Sequence, residues 1–422
     1  MECKAIQLSE VITDIAAGPF GSNLKVSCFV NEGFPVIDGA NLKGFKVTDN
    51  ITKFVTEEKA RSLHRSIAKR GDIIVTISGT LGQIAYIPDV SKYEEYLCSQ
   101  RQFRVTFDTT KVYVPYLVFY FHTYEGQHKI LSFANQVGVP ALSQPLKNFR
   151  QITIQLPDLD TQKQIAIIVE LINGKIEQNE SINKNLEQQA QLLFKSWFVD
   201  FEPFNGTMPS DWEVVPFETI VDFQNGYAFK SKELLNEPSS DCYQVFKQGH
   251  IARGGGFIPD GTKSWYPKKL ASKLEKFVLK KGDILMAMTD MKDNVAILGN
   301  TAIMPIENEY IVNQRVGHMR ANGYKGITYP FIYLLTNSTD FLIDLRSRAN
   351  SGVQVNLSSA EIKASQTVLP SEKVNTAFSE ITIPMFEAII SNQLENQRLA
   401  QLRDALLPKL MSGELDVSNI DL

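Results

Sequence analysis

Two long segments with the same seven-residue spacing constrain the fold of this chain more than any other feature. The first lies within residues 156–201, which contain one glycine and no proline after Pro157. Its heptad positions are Ile165, Ile172, Asn179, Leu186 and Leu193. The same spacing returns 213 residues later at Phe378, Met385, Asn392, Leu399 and Leu406. Such repeats predict coiled-coil helices, and a helix over residues 162–198 would be about 55 Å long.

The two seams predict how the helices pair. An asparagine stands at the middle position of both, so an antiparallel pair would place Asn179 opposite Asn392 and fix the register. Pro384 stands where the first repeat has Leu171, which predicts a break or kink and a shorter or bent second helix. Trp197 ends the first helix among other aromatic residues. We expect it to pack against the globular part, with docking of a partner subunit as the alternative.

The repeat extends through the rest of the chain. KRGDIIVTISGT matches KKGDILMAMTDM, and SQRQFRVTF matches NQRVGHMRA, at offsets of about 211–215 residues. The loops between these segments differ. The predicted fold class is α+β, with two pseudo-repeated mixed α/β domains separated by two long antiparallel coiled-coil helices. A common scaffold with different loops predicts two sites of one type that bind two different targets.

Composition sets outer limits on the protein class. With 422 residues, 43% of them hydrophobic, the chain can form two or three cores. No apolar run approaches about 18 residues, and the first ten residues do not resemble a signal peptide. The four cysteines are scattered, which favours reduced thiols in a cytoplasmic protein over a metal site. We therefore expect no membrane association and no metal in this chain.

Positive charge is concentrated at equivalent places in the two repeats. Residues 43–70 carry eight Lys or Arg and three Asp or Glu, and residues 247–281 carry nine and two, although the net charge is -4. Cations bind phosphates, whereas Arg, Asn and Gln can also read base edges. Trp265 could equally be a core residue. The candidate DNA-binding residues are Asn41, Lys43, Arg61, Arg65, Lys69, Gln248, Arg253, Lys263, Trp265, Lys268 and Lys269.

The chain resembles the specificity subunit of type I restriction–modification enzymes. The resemblance is carried by LPDLDTQKQIA and FKSWFVDF in the first helical segment, and by LRDALLPKLMSGEL near the C-terminus. It implies target recognition domains over residues 1–156 and 203–369, with helical regions over 157–202 and 370–422. It further implies a non-catalytic subunit that reads a bipartite, asymmetric site in double-stranded DNA.

The same resemblance implies the partners. Two modification subunits would methylate adenine, and restriction subunits would translocate and cleave DNA. No cofactor is expected in this chain, whereas S-adenosylmethionine, ATP and Mg²⁺ are expected in the partner subunits.

Two other functions stay open at the sequence level. Asp344, Glu361 and Lys363 have roughly the spacing of a metal-dependent nuclease site, although residues 147–149 of the first repeat have no matching carboxylate. The chain could also be a coiled-coil scaffold. Neither a phosphate-binding GxxxxGK[ST] loop nor a methyltransferase motif is present in the sequence.

Overall fold

The computed structural model describes residues 3–135, 140–291, 295–351 and 354–417. The chain forms two compact units. Unit 1 comprises Met1–Ile176 and Arg398–Leu422, and unit 2 comprises Glu177–Gln397. Both long helices contribute residues to both units. The sequence instead predicts four consecutive segments, with boundaries after residues 156, 202 and 369, and this division stays a prediction.

Unit 1 contains thirteen described strands and four short helices, followed by the first long helix. The strands are β1 (Cys3–Gln7), β2 (Ile12–Ala17), β3 (Phe29–Val30), β4 (Phe34–Ile37), β5 (Phe54–Val55), β6 (Ile67–Lys69), β7 (Ile73–Thr76), β8 (Ile84–Tyr86), β9 (Glu95–Cys98), β10 (Gln102–Phe107), β11 (Ala134–Asn135), β12 (Ala141–Leu142) and β13 (Thr153–Pro157). The helices are α1 (Glu57–Ser62), α2 (Val114–His122), α3 (Tyr124–Leu131), α4 (Pro145–Gln151) and the long α5 (Leu159–Phe198).

Two larger sheets organise unit 1. One is antiparallel, with the strand order β2-β10-β7-β8. The other has the order β3-β5-β4-β9-β6, and β4 and β9 are parallel. The strands β1 and β13 pair antiparallel next to the start of α5, and β11 pairs with β12. The aromatic helix α2 is buried along Val114–Phe121 because its apolar residues cover the first sheet.

Unit 2 contains twelve described strands and three short helices, followed by the second long helix. The strands are β14 (Glu213–Pro216), β15 (Val221–Asn225), β16 (Cys242–Phe246), β17 (Trp265–Pro267), β18 (Ile284–Ala287), β19 (Thr289–Met291), β20 (Thr301–Ile303), β21 (Tyr310–Val312), β22 (Val316–Ala321), β23 (Asn350–Ser351), β24 (Gln354–Asn356) and β25 (Gln366–Leu369). The helices are α6 (Tyr329–Thr336), α7 (Thr339–Ser347), α8 (Ser359–Ala364) and the long α9 (Glu372–Ser412).

The main sheet of unit 2 repeats that of unit 1, whereas the second sheet has three strands instead of five. The antiparallel order β15-β22-β18-β20 corresponds to β2-β10-β7-β8. In the order β17-β16-β21, the strands β16 and β21 are parallel, and they correspond to the parallel pair β4 and β9 of unit 1. The pair β14 and β25 precedes α9 as β1 and β13 precede α5, and β19-β24-β23 forms a further sheet. The predicted internal repeat and the α+β fold class are confirmed.

A Gly-Asp turn begins the central strand of each unit. Gly71 and Gly282 have φ angles of 84° and 85°, a conformation that side chains other than glycine's rarely adopt. The following aspartates accept hydrogen bonds from the turn itself: Asp72 from the amide of Lys69 at 2.9 Å, and Asp283 from the amide of Lys280 at 2.8 Å. The Gly-Asp sequence of each unit therefore forms the turn that precedes β7 and β18.

The predicted break and shortening of the second long helix are wrong. Helix α9 runs for 41 residues through Pro384, one residue more than α5. Pro384 lies on an exposed face, where the carbonyl that loses its amide partner can be hydrated. No helix in the described part of the chain has the length and apolar character needed to cross a membrane.

Candidate nucleic-acid interface

The basic stretch of unit 1 places only some of its cations freely on the surface. Lys43 follows β4, and Arg65 lies between α1 and β6, and both side chains are exposed. Neither side chain makes a hydrogen bond or an ion pair with any residue that the structure describes. These two cations can therefore meet a phosphate without first breaking a side-chain hydrogen bond or an ion pair.

Arg61 and Lys69 are held by carboxylates. Arg61 binds Glu57 at 2.8 Å and Glu95 at 2.5 Å, and Lys69 lies 3.3 Å from Glu95. Glu95 is on β9, far along the chain, so the basic run in the sequence does not reveal this pairing. A phosphate would have to compete with Glu95 for both cations, which makes them weaker candidates than Lys43 and Arg65.

The cleft beside this cluster also pairs its charges internally. It has a volume of about 540 Å³. Arg104 lies 2.6 Å from Asp14, and that hydrogen bond lowers the pKa of Asp14. Burial raises the pKa of Asp72, which accepts a hydrogen bond from the Thr106 hydroxyl at 2.6 Å. Because its cations face carboxylates, the cleft is not a basic groove.

Asn41 has a structural role. Its side-chain oxygen accepts a hydrogen bond from the amide of Asp38 at 3.0 Å, and its amide nitrogen donates to the carbonyls of Thr48 and Asn50. The residue is only 4% exposed. Since these bonds hold the loop after β4 together, the side chain of Asn41 is not available to contact DNA.

Arg253 of unit 2 lies at the tip of a tight glycine loop. The next three residues, 254–256, are glycines with φ angles of 81°, 105° and 107°. Gly256 donates to the carbonyl of Thr301 at 3.0 Å, and Ile251 bridges to Phe257 across the loop. Arg253 is exposed and has no side-chain partner within the described ranges. A hydrogen-bonded loop therefore presents an unpaired guanidinium, which is the group that most often reads guanine.

The other candidates in unit 2 fall into two groups. Gln248 is half-buried and exchanges hydrogen bonds with Thr289 through both ends of its amide. Trp265 is half-buried on β17 opposite Gln244, and Lys268 lies over the ring of Tyr243 at 5.2 Å. These three help to hold the unit together. Lys263 and Lys269 are exposed, as a phosphate contact requires.

The paired helices of unit 2 are antiparallel, but not in the predicted register. Asn179 donates to Asn396 at 2.8 Å and to Glu395 at 2.7 Å, and Asn392 donates to Asn183 at 2.8 Å. The prediction that Asn179 faces Asn392 is wrong by one helical turn. A slide of four residues keeps the same helical face inward, so heptad spacing alone cannot exclude it.

Every predicted seam residue is buried or half-buried. Ile165, Asn179 and Phe378 are fully buried, whereas the others are half-buried, because deep burial shifts to neighbours such as Phe194 and Leu407. Trp197 lies 5.8 Å from Phe378 in an aromatic cluster that also contains Phe198. The packing role of Trp197 is thus the one that the structure supports.

The helix segments of unit 1 are also in contact. Arg403 of α9 donates to the side chain of Asn173 of α5 at 3.0 Å, and its guanidinium lies 5.3 Å from the centre of the Phe45 ring. Ile165 and Leu407 join the core formed by the first sheet and α2, and Leu406 packs against it. The long helices are therefore part of the globular core of this unit as well as partners of each other.

The proposed nuclease residues do not form a metal site. Arg348 binds Asp344 at 2.9 and 3.0 Å and approaches Glu361 to 3.8 Å. A guanidinium therefore lies where two carboxylates would have to share a cation. Among the described residues, no group of three or more His, Cys, Asp or Glu side chains is arranged to hold a metal ion.

Comparisons with known proteins agree with the repeated architecture. The family model described as the type I restriction modification DNA specificity domain matches twice, at residues 22–188 and 209–403. The crystal structure of a type I restriction–modification system S subunit from M. genitalium has a similar fold. It is 16% identical, with a TM-score of 0.59 over 97% of this chain and 96% of that one.

Curated relatives are similar across most of their length. The specificity subunit of the type I restriction enzyme MjaIX from Methanocaldococcus jannaschii is 24% identical over 385 residues, which cover 87% of this chain and 82% of the relative. The specificity subunit of the HindI enzyme from Haemophilus influenzae is 24% identical over 63% of this chain and 69% of the relative. Two copies of one scaffold, each matched by the same model, show that this chain belongs to the family of type I restriction–modification DNA specificity proteins.

Proposed function

We propose that this chain is the non-catalytic subunit that reads a bipartite, asymmetric site in double-stranded DNA. Unit 1 would read one half-site and unit 2 the other. The observation that carries the proposal is the repeated sheet topology combined with different cation-bearing loops. Equal scaffolds place the two loop sets in equivalent positions, and unequal loops select unequal base sequences.

The available cations support different roles in the two units. Lys43 and Arg65 in unit 1, and Lys263 and Lys269 in unit 2, are exposed and suited to phosphate contacts. Arg253, on its hydrogen-bonded glycine loop, is suited to a base edge. The target recognition domains would be residues 1–156 and 203–369, and the helical regions 157–202 and 370–422.

Catalysis would belong to partner subunits. Two modification subunits would methylate adenine with S-adenosylmethionine, and restriction subunits would use ATP and Mg²⁺ to translocate and cleave DNA. The contact of Arg348 with Asp344 and Glu361 argues against cleavage by this chain. We expect the complex to act in the cytoplasm, where it meets DNA.

The test compares the purified full-length chain with its complex with the modification subunits. We expect the complex to bind DNA with sequence preference and to methylate adenine when S-adenosylmethionine is added. The chain alone should neither methylate nor cleave DNA in the presence of Mg²⁺. Cleavage by the chain alone would instead identify a nuclease, and failure of the complex to bind DNA would leave a scaffold.

A further inference from the structure

The same turn carries an exposed arginine in both units. Residues 99–101 form a turn before β10, and residues 313–315 form a turn before β22. Each ends in Gln-Arg, and the arginines are Arg101 and Arg315. Both β10 and β22 lie inside the main antiparallel sheet of their unit. The two arginines therefore occupy equivalent positions on equivalent scaffolds.

Three matched contacts hold the backbone of each turn. The amide of Arg101 lies 3.5 Å from the Ser99 hydroxyl, and the amide of Arg315 donates to the Asn313 side chain at 3.3 Å. The carbonyl of Arg101 accepts from Ile77 at 2.6 Å, and that of Arg315 accepts from Met288 at 3.2 Å.

The third contact is a close approach of glycine. A Cβ atom at Gly18 would lie 1.8 Å from the Ser99 carbonyl oxygen, and one at Gly226 would lie 2.2 Å from that of Asn313. Only glycine fits in either place. These contacts fix the main chain of both turns, so each arginine side chain extends from a backbone that is held in place.

The arginine side chains take no part in this scaffold. Both residues are exposed, and neither guanidinium has a hydrogen-bond or ion-pair partner in the part of the chain that the structure describes. The turn uses only main-chain atoms of the arginine, which any residue could supply. Turn geometry therefore does not explain why both repeats have arginine here.

Identity between the two repeats constrains what these side chains bind. If the units read different half-sites, the residues that read bases should differ between the two repeats. Arg253 and its glycine loop, for example, have no counterpart of similar sequence in the basic stretch of unit 1. A side chain that is the same in both should contact a feature that both half-sites share. In DNA that feature is the sugar–phosphate backbone, and an unpaired guanidinium can bind a phosphate with two hydrogen bonds.

We infer that Arg101 and Arg315 make the same sequence-independent contact, each with a backbone phosphate of its own half-site. The inference rests on the proposed function. It assigns these arginines to orienting each unit on the duplex, while the divergent loops select the sequence.

The test measures DNA affinity as a function of salt for the complex of the full-length chain with its modification subunits. The variants are Arg101→Ala, Arg315→Ala and the double variant, with Arg101→Lys to retain the charge. Lys4→Ala and Lys373→Ala remove exposed cations elsewhere in units 1 and 2 and serve as matched controls. The probes are one duplex containing the motif that methylome sequencing of the host identifies and one random duplex of equal length.

Each alanine substitution should lower affinity for both duplexes by a similar factor, roughly tenfold at low salt. The slope of log affinity against log salt should decrease in magnitude by about 0.9 for each variant and about twice that for the double variant. Arg101→Lys should keep most of the slope, and the two lysine controls should leave it unchanged.

Other results would overturn the inference. Unchanged salt slopes would show that no phosphate contact is lost, and relaxed preference within one half-site would show that the arginine reads a base. Loss of modification subunits with DNA affinity intact would assign the turns to subunit docking. A wild-type complex that binds neither duplex would instead refute the proposed function, so the two failures are distinguishable.

Discussion

The aspartate of each Gly-Asp turn has a different charge environment in the two units. Asp283 accepts from His318 at 2.7 Å and from Arg320 at 2.6 and 2.9 Å. Burial works to raise the pKa of Asp283, but the hydrogen bonds from Arg320 and His318 outweigh it and lower that pKa. For Asp72, burial dominates and raises the pKa.

We predict that Asp283→Asn destabilises the protein more than Asp72→Asn at neutral pH. Loss of hydrogen bonds to a charged acceptor should cost about 2–3 kcal/mol at Asp283. At Asp72 the cost should be under about 1 kcal/mol, because the substitution also removes a buried charge. Thermal unfolding of both variants measures the difference, and equal losses would contradict it.

The stability difference between the wild-type protein and each variant should change with pH in opposite directions for the two aspartates. The folded-state pKa of Asp283 is lowered, so its stabilisation is complete above the unfolded value of about 3.9 and is lost as pH falls through the lower folded value. The folded-state pKa of Asp72 is raised, so ionisation costs stability above that value, and the cost disappears as pH falls toward about 3.9. Unfolding scans from pH 7 to pH 3 test both directions.

Sequence patterns located the charged stretches but not the state of each residue within them. The run over residues 43–70 is basic in the sequence, yet Glu95 neutralises Arg61 and Lys69 from another strand. Asn41 looks like a base reader by residue type, but it caps its own loop. Such pairings depend on tertiary contacts between residues distant in sequence. Arg101 and Arg315 could have been found, because aligning the repeats shows them as an identical pair.

Both long helices begin with the same amide clamp. Gln162 accepts from the amide of Tyr113 at 2.8 Å and donates to the carbonyls of Lys111 and Pro157. Asn375, 213 residues later, donates to the carbonyls of Lys325 and Pro370 at 2.9 and 3.2 Å. Each side chain is almost fully buried and joins the start of its helix to the segment just before it and to a loop of its unit.

We predict that Gln162→Leu destabilises the chain more than Asn375→Leu. Leucine leaves three main-chain groups without their partner at Gln162 but two at Asn375, whose own side-chain oxygen already lacks a hydrogen bond. Buried unsatisfied groups cost about 1–3 kcal/mol each, so the losses should be several kcal/mol and unequal. Chemical denaturation measures both variants, with the exposed Gln178→Leu on α5 as the control. A larger loss at Asn375 would contradict this account.

Heptad spacing predicted the existence of both long helices because it records which face of each helix is apolar. Their antiparallel pairing was implied by the resemblance to the specificity subunits. The spacing did not give the register, since a one-turn slide preserves that face. In the structure, amides one turn away from the predicted partners decide the register: Asn183 meets Asn392, and Asn396 meets Asn179. The effect of Pro384 on the second helix was overestimated. The helix tolerates this proline because it is exposed, and that exposure is not visible in the sequence.

At the scale of the whole molecule, the repeat makes a prediction about the DNA target. The two units share the strand order of their main antiparallel sheet, the Gly-Asp turns and the arginine-bearing turns, so each should engage one half-site in the same way. Their recognition loops share little sequence. The glycine loop at residues 253–256 has no counterpart of similar sequence in the basic stretch of unit 1. The half-sites should therefore differ.

We predict that methylome sequencing of the host finds a split, non-palindromic motif with one methylated adenine on each strand. Arg253→Ala should relax base preference within one half-site only and leave the other half and the gap unchanged, because each unit reads its half with its own loops. Lys263→Ala combined with Lys269→Ala is the matched control, since loss of phosphate-type cations should reduce methylation without changing the motif. A palindromic motif would contradict the prediction, because two dissimilar sets of loops should not select identical sequences.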